Sequence, residues 1–415
     1  MSKSKEKFFD KKKEWSKIKD SLLGSYLVPY FQKLLRSNRV THYIDCFAGP
    51  GKFVDGTVGS PMIAIDAANT VIPNSKSNTA NSNKIKLTFI EKEHACELRD
   101  AVGNKYPNST VIEGSYQDEI MKLIGTSPNM NLFLYVDPFG YKFLDFSVFQ
   151  QLGNPSFPSS ELLINFNSNG FYRNACRVMG IVTNDNGCMW DDDEPYPKKL
   201  IEGLNSADKL SSVIGGPDWM NIILARQIKN IDGSEAEKQI TQYFIENLRS
   251  VFKYVVEIPI RISQKQITKY RLIHACNHPE GCLLMIDNMQ RRKAELIENV
   301  YLQRNSLPGM TLSDCVPIDN DFLCDNEIQE IIMAMLSESH EEIRYSNLII
   351  DFYMRYGIIC SYKAIQAALE RLQYVGLITV KRIPALKKNG TPTKFWTEDK
   401  DHKIFLKSNE RQRLH

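Results

Sequence analysis

Three acidic residues, each placed where an apolar run ends, are the side chains of this sequence best suited to chemistry. Asp45 lies at the end of the run Val40 to Cys46, Glu91 follows residues 85–90, and Asp137 follows residues 131–136. A carboxylate can accept hydrogen bonds from two adjacent donors at once. If the three runs are neighbouring strands, their acids form one site for a polar ligand.

A tight glycine turn, Phe47-Ala48-Gly49-Pro50-Gly51, directly follows the first acid. Glycine is needed where a positive φ or a close ligand would be blocked by a Cβ, and the amides that follow can face polar ligand atoms. Gly59-Ser60-Pro61 then begins a helix, with proline where the first helical turn tolerates it. The turn therefore indicates a nucleotide-like ligand, although an ordinary strand-turn-helix without a ligand is the alternative.

Five nearly continuous apolar runs, separated by helix-length segments, predict a parallel sheet covered on both faces. Ligands bind beyond the carboxyl ends of such strands, where five polar residues fall: Asp45, Glu91, Ser115, Asp137 and Asn167. Residues 254–260 and 270–275 are expected to form an antiparallel edge. The predicted fold class is α/β, with a Rossmann-like, doubly wound and mostly parallel sheet.

The same patterns divide the chain into segments. Apolar residues at helical spacing predict a helix over residues 14–35, with its lysines on a solvated face. We expect an N-terminal extension at 1–38, the sheet domain at 39–303 with an insertion over its carboxyl edge at 168–233, a linker at 304–324 and a second domain at 325–415. The acidic run 191–194 lacks His or Cys at ligand spacing, so a solvated loop and no metal site are expected there.

Residues 325–415 predict three short helices and a two-stranded hairpin, which is typical of a winged helix. The helix at residues 362–374 takes the recognition position, and the hairpin runs from residues 376–382 through a turn at 387–390 to a strand at Phe395-Trp396. A protein-protein module of the same shape is the alternative.

Charge is unevenly distributed around this second domain. The net charge of +3 is too small to indicate a polyanion partner, but residues 319–351 carry nine acids and one base, and residues 352–415 carry thirteen bases and five acids. The basic part favours a phosphate-contacting face, although the two parts could simply neutralise each other. The candidate nucleic-acid contacts are Lys363, Arg371, Lys381, Arg382, Lys387, Lys388 and Lys394.

The order of the acids and the glycine turn resembles a class I S-adenosylmethionine-dependent methyltransferase. The resemblance implies S-adenosylmethionine as cofactor, with Asp45 near its methionine part and Glu91 on the ribose hydroxyls. Ser115 stands where the family often has an Asp for the adenine amine, and Gln117 or Asp118 could substitute for it. The implied cofactor residues are Asp45, Phe47, Ala48, Gly49, Gly51, Ser60, Glu91, Lys92 and Ser115.

The segment Asp137-Pro138-Phe139-Gly140 resembles the Asp-Pro-Pro-Tyr motif of methyltransferases that act on exocyclic amines of nucleobases. An aromatic amine is a poor nucleophile, and a carboxylate and a carbonyl beside a proline can accept its hydrogens and favour attack on the sulfonium methyl. The resemblance implies catalytic roles for Asp137 and Pro138, with Phe139 or Tyr141 stacking the base.

A narrower resemblance is to the three-Cys-motif partner protein (TcmP) family, over about residues 15–300. It lies in the segments 43–52, 59–61, 89–92, 136–140 and 270–281, and the early Gly-Ser-Pro and Asp-Pro motifs are also similar to a bacterial ribosomal-RNA adenine-N6 methyltransferase. The family name implies a partner protein with a three-cysteine, iron-sulfur type cluster. The nine cysteines here include no Cys-x-x-Cys pair, which favours the partner role.

Together these features predict a methyltransferase acting on nucleic acid, DNA or RNA, at a base amine. The alternatives are a methyltransferase-fold adaptor for a three-cysteine enzyme, with little catalysis of its own, and a winged-helix regulator. Scattered cysteines, and no apolar segment of about 20 residues, predict a reduced, cytoplasmic protein without a membrane partner.

Overall fold

The computed structural model of the chain describes residues 14–72, 82–181, 207–229, 231–260, 268, 270–305, 323–339 and 341–409. The chain divides into two compact units, Met1–His278 and Pro279–His415. The sequence analysis placed the end of the sheet domain at residue 303. In the structure, residue 303 lies inside the helix Pro279–Asn305, which belongs to the second unit. The acidic run 191–194 lies outside the described residues.

The first unit is built on a seven-stranded sheet with the order β3-β2-β1-β4-β5-β7-β6. Its strands are β1 (Thr41–Asp45), β2 (Ile85–Glu91), β3 (Ser109–Glu113), β4 (Asn131–Val136), β5 (Ser159–Phe166), β6 (Tyr254–Ile260) and β7 (Tyr270–Cys276). The first five pair in parallel, as expected for a Rossmann-like α/β fold.

The last two strands form the expected antiparallel edge, and the strand that runs against the other six is the inner one of the two. β7 pairs antiparallel with both β5 and β6, so β7 lies one position inside the sheet and the edge strand β6 again runs parallel to β5. All seven residues of β7 are buried, whereas three of the seven in β6 are partly exposed. β7 suits an inner position, where both faces and both edges of a strand are covered, because its side chains are either apolar or paired with another polar group.

Nine described helices pack on the two faces of this sheet: α1 (Glu14–Leu34), α2 (Ser60–Val71), α3 (Ala95–Val102), α4 (Tyr116–Gly125), α5 (Phe146–Gln151), α6 (Ser168–Val178), α7 (Ala207–Ile214), α8 (Trp219–Lys229) and α9 (Gly233–Arg249). On one face, Tyr26 and Tyr30 of α1 pack against Phe133 of β4. The described helices of the segment 168–233 contribute Phe171, Trp219 and other residues to the main core. They are therefore part of the sheet's cover.

A buried polar group lies beneath α1. The Tyr26 hydroxyl donates to Glu161 of β5, and the same carboxylate lies 3.0 Å from Nε2 of His274 on β7. Burial, followed by the charge of Glu161, raises the pKa of the Tyr26 phenol well above its ordinary value. This contact fixes α1 to the middle of the sheet, so the helix is part of the first unit's packing.

The second unit contains α10 (Pro279–Asn305), α11 (Asp325–Glu338), β8 (Ile343–Arg344), α12 (Tyr345–Tyr356), α13 (Tyr362–Tyr374), β9 (Ile378–Ile383) and β10 (Lys403–Ser408). Helix α13 has the predicted bounds. The three strands form an antiparallel sheet in the order β8-β10-β9.

The predicted hairpin strand at Phe395-Trp396 is wrong, because the partner of β9 is β10 and a short third strand, β8, pairs on its other side. Phe395 and Trp396 lie outside any strand. The Trp396 ring lies 4.8 Å from the Arg382 guanidinium and 5.5 Å from the Tyr345 ring, so it packs as a loop anchor.

Two further properties concern only the described part of the chain. None of its helices is long and apolar enough to cross a membrane. Its cysteines, at positions 46, 96, 176, 276, 282, 324 and 360, all carry free thiols.

A buried ion pair on the other face of the sheet gives the first prediction. Arg271 of β7 donates from Nε and Nη2 to Glu237 of α9 at 2.7 and 2.8 Å, and from Nη1 to Glu257 at 2.8 Å. Leaving a buried charge without any partner costs about 3–5 kcal/mol, and Glu237→Ala leaves Arg271 with Glu257 alone. Glu237→Ala should therefore lower the free energy of unfolding by at most about 3–5 kcal/mol in urea titrations.

The matched control is Glu246→Ala, an exposed glutamate on the same helix. It should change stability by less than about 0.5 kcal/mol. If both variants lose a similar amount of unfolding free energy, then the substitutions weaken the helix and not the ion pair.

Candidate functional site

The three acids found in the sequence lie at one edge of the sheet, because β2, β1 and β4 are neighbours with parallel direction. Asp45 pairs in register with Phe89 and Tyr135, one strand on either side. The pKa of Asp45 is raised mainly by burial, and the negative charges of Asp137 and Glu91 are close enough to raise it further. The predicted convergence of the acids is therefore present in the fold.

Asp45 is fully buried, and this decides its charge. Burial is the largest cause that raises the pKa of its carboxyl to about 7, against opposing hydrogen bonds from the Ser60 side chain and the Phe47 amide. The Phe47 amide lies 3.2 Å from Oδ1, while Oδ2 has no hydrogen-bond partner among the described residues. An unpaired, buried carboxyl oxygen is well suited to a cationic donor, which would favour its ionised form.

Glu91 holds the glycine turn. Its Oε2 accepts the Gly49 amide at 2.8 Å, and its Oε1 accepts the amides of Glu93 and His94 at 2.8 and 3.1 Å. An ionised carboxylate offers about four acceptor positions, so three amides leave room for one further donor. Glu91 thus shapes the turn and keeps capacity for a ligand hydroxyl.

The turn itself has the conformation that glycine permits. Gly49 and Gly51 have φ values of 64° and 76°. A Cβ on Gly51 would come within 2.9 Å of the Leu98 side chain. The Gly51 carbonyl accepts the Gly59 amide at 2.8 Å. The Ala48 amide donates to the Ile90 carbonyl at 3.0 Å. Positive φ and close packing together explain these glycines without any ligand, so the turn alone does not identify one.

Asp137 is already engaged by its own chain. Lys19 Nζ of α1 lies 2.7 Å from Oδ2 and 2.9 Å from Oδ1. Asn165 donates its amide to Oδ1 at 2.7 Å, and the Tyr135 hydroxyl donates to Oδ2 at 3.2 Å. The carboxylate predicted to accept a substrate amine therefore accepts four hydrogen bonds inside the folded chain.

Lys19 was missed by the sequence analysis, which placed the lysines of α1 on a solvated face. Its side chain is only 10% exposed. A signal was present, because Lys19 follows Trp15 by four residues and precedes Leu22 and Leu23 by three and four, which places it on the apolar stripe. A lysine at such a position needs a buried partner.

The remaining predicted residues occupy different settings. Phe139 is 63% exposed, whereas Tyr141 is buried with its ring 5.3 Å from Phe171. Phe139 is therefore the better placed of the two aromatics for an incoming base. Pro138 is buried and its carbonyl accepts the Gly140 amide at 2.7 Å, which closes the turn. Lys92 is exposed at the surface.

Ser115 caps α4. Its hydroxyl donates to the Asp118 carboxylate and accepts the Asp118 amide, at 3.3 Å in the second contact. Asp118, one of the two residues that could replace Ser115 in contacting the adenine amine, is therefore hydrogen-bonded to Ser115 itself. The hydroxyl is used for helix capping, an interaction that contributes about 1 kcal/mol. No cluster of His, Cys, Asp and Glu in the described residues is arranged to hold a metal ion.

Six of the seven predicted nucleic-acid contacts in the second unit fall into two groups, and the seventh, Arg382, packs on Trp396. Arg371 pairs with Asp325, and Lys381 lies 3.2 Å from Glu342, so the acidic part does neutralise some of the basic part. These pairs are exposed and contribute about 0–1 kcal/mol, so a phosphate can compete for the cations. Four lysines are exposed and form no ion pair within the described range: Lys363, Lys387, Lys388 and Lys394.

Comparisons with known proteins add little to these observations. No family model and no curated protein matches the chain. One similar solved structure is the crystal structure of a "putative O-methyltransferase" from Klebsiella pneumoniae, which is 12% identical, covers 61% of this chain and 80% of its own, and superposes with a TM-score of 0.29. That likeness is too low to support an argument about function, and the TcmP resemblance stays a prediction.

The raised pKa of Asp45 predicts a pH dependence of stability. The unfolded carboxyl titrates near 3.8 and the folded one near 7, so the stabilising contribution is complete below pH 4 and is lost as pH rises to 7. Asp45→Asn should therefore be more stable than wild type at pH 8, by about 4 kcal/mol at most, and similar to it at pH 4. Urea unfolding at several pH values measures this difference.

Asp66→Asn is the matched control, because Asp66 is an exposed carboxylate on α2. Its stability should follow that of wild type at every pH. If Asp45→Asn also follows wild type from pH 4 to 8, then the Asp45 carboxyl is not held protonated in the folded chain.

Proposed function

We propose that the first unit is an S-adenosylmethionine-dependent methyltransferase that acts on nucleic acid at an exocyclic base amine. The observation that carries the cofactor part is the buried Asp45 carboxyl, whose Oδ2 has no partner within the described residues and which adjoins the glycine turn. A fully buried carboxyl oxygen without a hydrogen-bond partner is costly in a folded protein unless a ligand completes it. The ligand it favours carries positive charge.

The residues present fit such a cofactor. Asp45 would receive its cationic methionine part, the remaining acceptor position of Glu91 would receive a ribose hydroxyl, and the turn at Gly49 and Gly51 allows backbone to approach it. When bound, S-adenosylmethionine supplies a methyl group activated by a sulfonium. Buried acids near that cation stabilise it without taking part in the reaction.

The substrate part of the proposal concerns Asp137 and Phe139. Asp137 would accept the hydrogens of the amine, and Phe139, which is exposed two residues further along the chain, would stack the base. For Asp137 to act in this way, Lys19 or Asn165 must yield one of the oxygens that they occupy. The basic residues of the second unit, which we infer to be winged-helix-like, would bind the polymer's phosphates.

One observation favours the second candidate, an adaptor with little catalysis of its own. All the acceptor capacity of Asp137 is used by Lys19, Asn165 and Tyr135, as expected for a residue that only stabilises the fold. Such a protein would bind the cofactor and assist a partner of the three-cysteine type. The two candidates share the cofactor site and differ at Asp137.

Calorimetry tests the cofactor site. S-adenosylmethionine should bind the full chain, and at pH 6.5 it should release up to one proton as Asp45 ionises, so the observed heat should change with the ionisation enthalpy of the buffer. Asp45→Asn should lose this buffer dependence. Glu91→Gln should keep it but bind about tenfold or more weakly, because a charged acceptor is lost.

The control for Glu91→Gln is Glu113→Gln. Glu113 also ends a strand, but it is exposed and pairs with Arg99 at 2.9 Å. Its affinity for the cofactor should equal that of wild type. Absence of binding by the wild-type chain would remove the methyltransferase proposal at its root.

The choice between enzyme and adaptor is tested by Asp137→Asn. Methyl transfer to single-stranded DNA or RNA, followed with a radiolabelled methyl group, should fall by about tenfold or more if Asp137 accepts the amine hydrogens. Asp145→Asn is the control, because Asp145 caps α5 through the Ser147 amide at 2.9 Å and Asn is an equally good cap.

An adaptor predicts a different pattern for the same variant. Cofactor binding and any partner-dependent activity should persist in Asp137→Asn, and no methyl transfer should be seen with the wild-type chain on any nucleic acid. That result would reject the enzyme and retain the cofactor site.

A further inference from the structure

A groove of about 710 Å³ lies in the second unit, between the last turn of α13 and the strand β9 with the loop that follows it. This volume is in the range of sites that hold small ligands, about 300–1,000 Å³. The lining residues with chemical character are Glu370, Tyr374, Lys381, Arg382, Lys394 and Trp396. The groove includes only three of the seven predicted nucleic-acid contacts, and its aromatic and acidic residues were not among them.

Flat side chains form much of its surface. Tyr374 is 92% exposed, an unusual setting for an aromatic ring in a soluble protein. The Arg382 guanidinium lies 4.8 Å from the centre of the Trp396 ring and is held by a 3.0 Å hydrogen bond from its Nε to the Phe395 carbonyl. A guanidinium fixed against an indole is a planar surface on which another planar group can stack.

The charges of the groove are mixed. Lys381 and Lys394 are exposed cations at its rim, and Glu370 is an exposed carboxylate on α13. Cations alone would favour any anion. A carboxylate beside them disfavours a bare phosphate and favours a ligand that also carries N–H donors, such as the amino group of cytosine or adenine.

We propose that this groove binds an unpaired nucleobase, with its phosphate, from a single-stranded nucleic acid. The base stacks on Tyr374 and faces the Arg382–Trp396 pair, Lys381 and Lys394 contact phosphate, and Glu370 accepts a hydrogen from an exocyclic amine. In a duplex that amine is paired and the base is stacked within the helix, so the groove selects single strands. This proposal rests on the nucleic-acid part of the proposed function, and it deepens that part by naming the form of the polymer.

Binding of the full chain to fluorescein-labelled ten-nucleotide strands, measured by fluorescence anisotropy, tests the proposal. Oligodeoxycytidine should bind more tightly than a duplex of the same length. Tyr374→Ala should weaken binding about 5- to 20-fold, whereas Tyr374→Phe, which keeps the ring, should bind like wild type. Val375→Ala is the control, because Val375 is the next residue, 54% exposed, and does not line the groove.

Charge variants test the remaining contacts. Lys394→Ala should reduce the slope of log affinity against log salt by about 0.7, and Lys400→Ala, an exposed lysine outside the groove, should reduce it less. Glu370→Gln should reduce the preference for oligodeoxycytidine over oligodeoxythymidine, because thymine has no exocyclic amine. If free cytidine monophosphate displaces the labelled strand as well as an unlabelled strand does, then the groove binds a free nucleotide and not a polymer.

Three results would overturn the proposal: tighter binding of the duplex, equal losses in Tyr374→Ala and Val375→Ala, or no nucleic-acid binding, with capture of an acidic aromatic peptide instead. The last would also remove the nucleic-acid part of the proposed function. Calorimetric binding of S-adenosylmethionine in the first unit is a separate measurement, so failure of the groove and failure of the cofactor site are distinguished.

Discussion

Three carboxyl groups share one edge of a parallel sheet, and the chain has to stabilise each of them where water is partly or wholly excluded. Each is stabilised in a different way. Glu91 is held by three backbone amides, Asp137 by the ammonium of Lys19 with two neutral donors, and Asp45 by a proton, since burial raises its pKa to about 7. The glycine turn and α1 supply part of these donors, through the Phe47 and Gly49 amides and the Lys19 ammonium.

The N-terminal helix is therefore a part of the site as well as of the core. Its first half brings Lys19 to the carboxyl edge, and its middle brings Tyr26 to the buried pair of Glu161 and His274. The first contact fixes the helix near the candidate substrate residue, and the second fixes it to strands β5 and β7. A change in the position of α1 would alter the partner of Asp137 and the packing on Phe133 together.

Features encoded by neighbouring residues could be predicted from the sequence, and features made between distant segments could not. The parallel strands, the turn at Gly49 and the convergence of the acids follow from apolar runs and from the direction of parallel strands. The partner of Asp137 lies 118 residues away, and no local pattern joins the two. The second strand of the hairpin was misplaced for a related reason. Trp396 packs on Arg382 and Tyr345 outside any strand, so its apolar character does not indicate a strand.

The charge on Lys19 sets a condition on any amine chemistry at Asp137. A neutral amine and the Lys19 ammonium would both donate to a charged acceptor, an interaction of about 1.5–3 kcal/mol, but only Lys19 also brings an opposite charge to the carboxylate. An incoming amine cannot displace Lys19 by that exchange alone, and a part-buried ammonium left without a partner would add a further cost. The exchange becomes favourable when the substrate brings an anion for Lys19, as the phosphate of a nucleotide does. A nucleic acid therefore meets both requirements at once, while a neutral small-molecule amine meets only one.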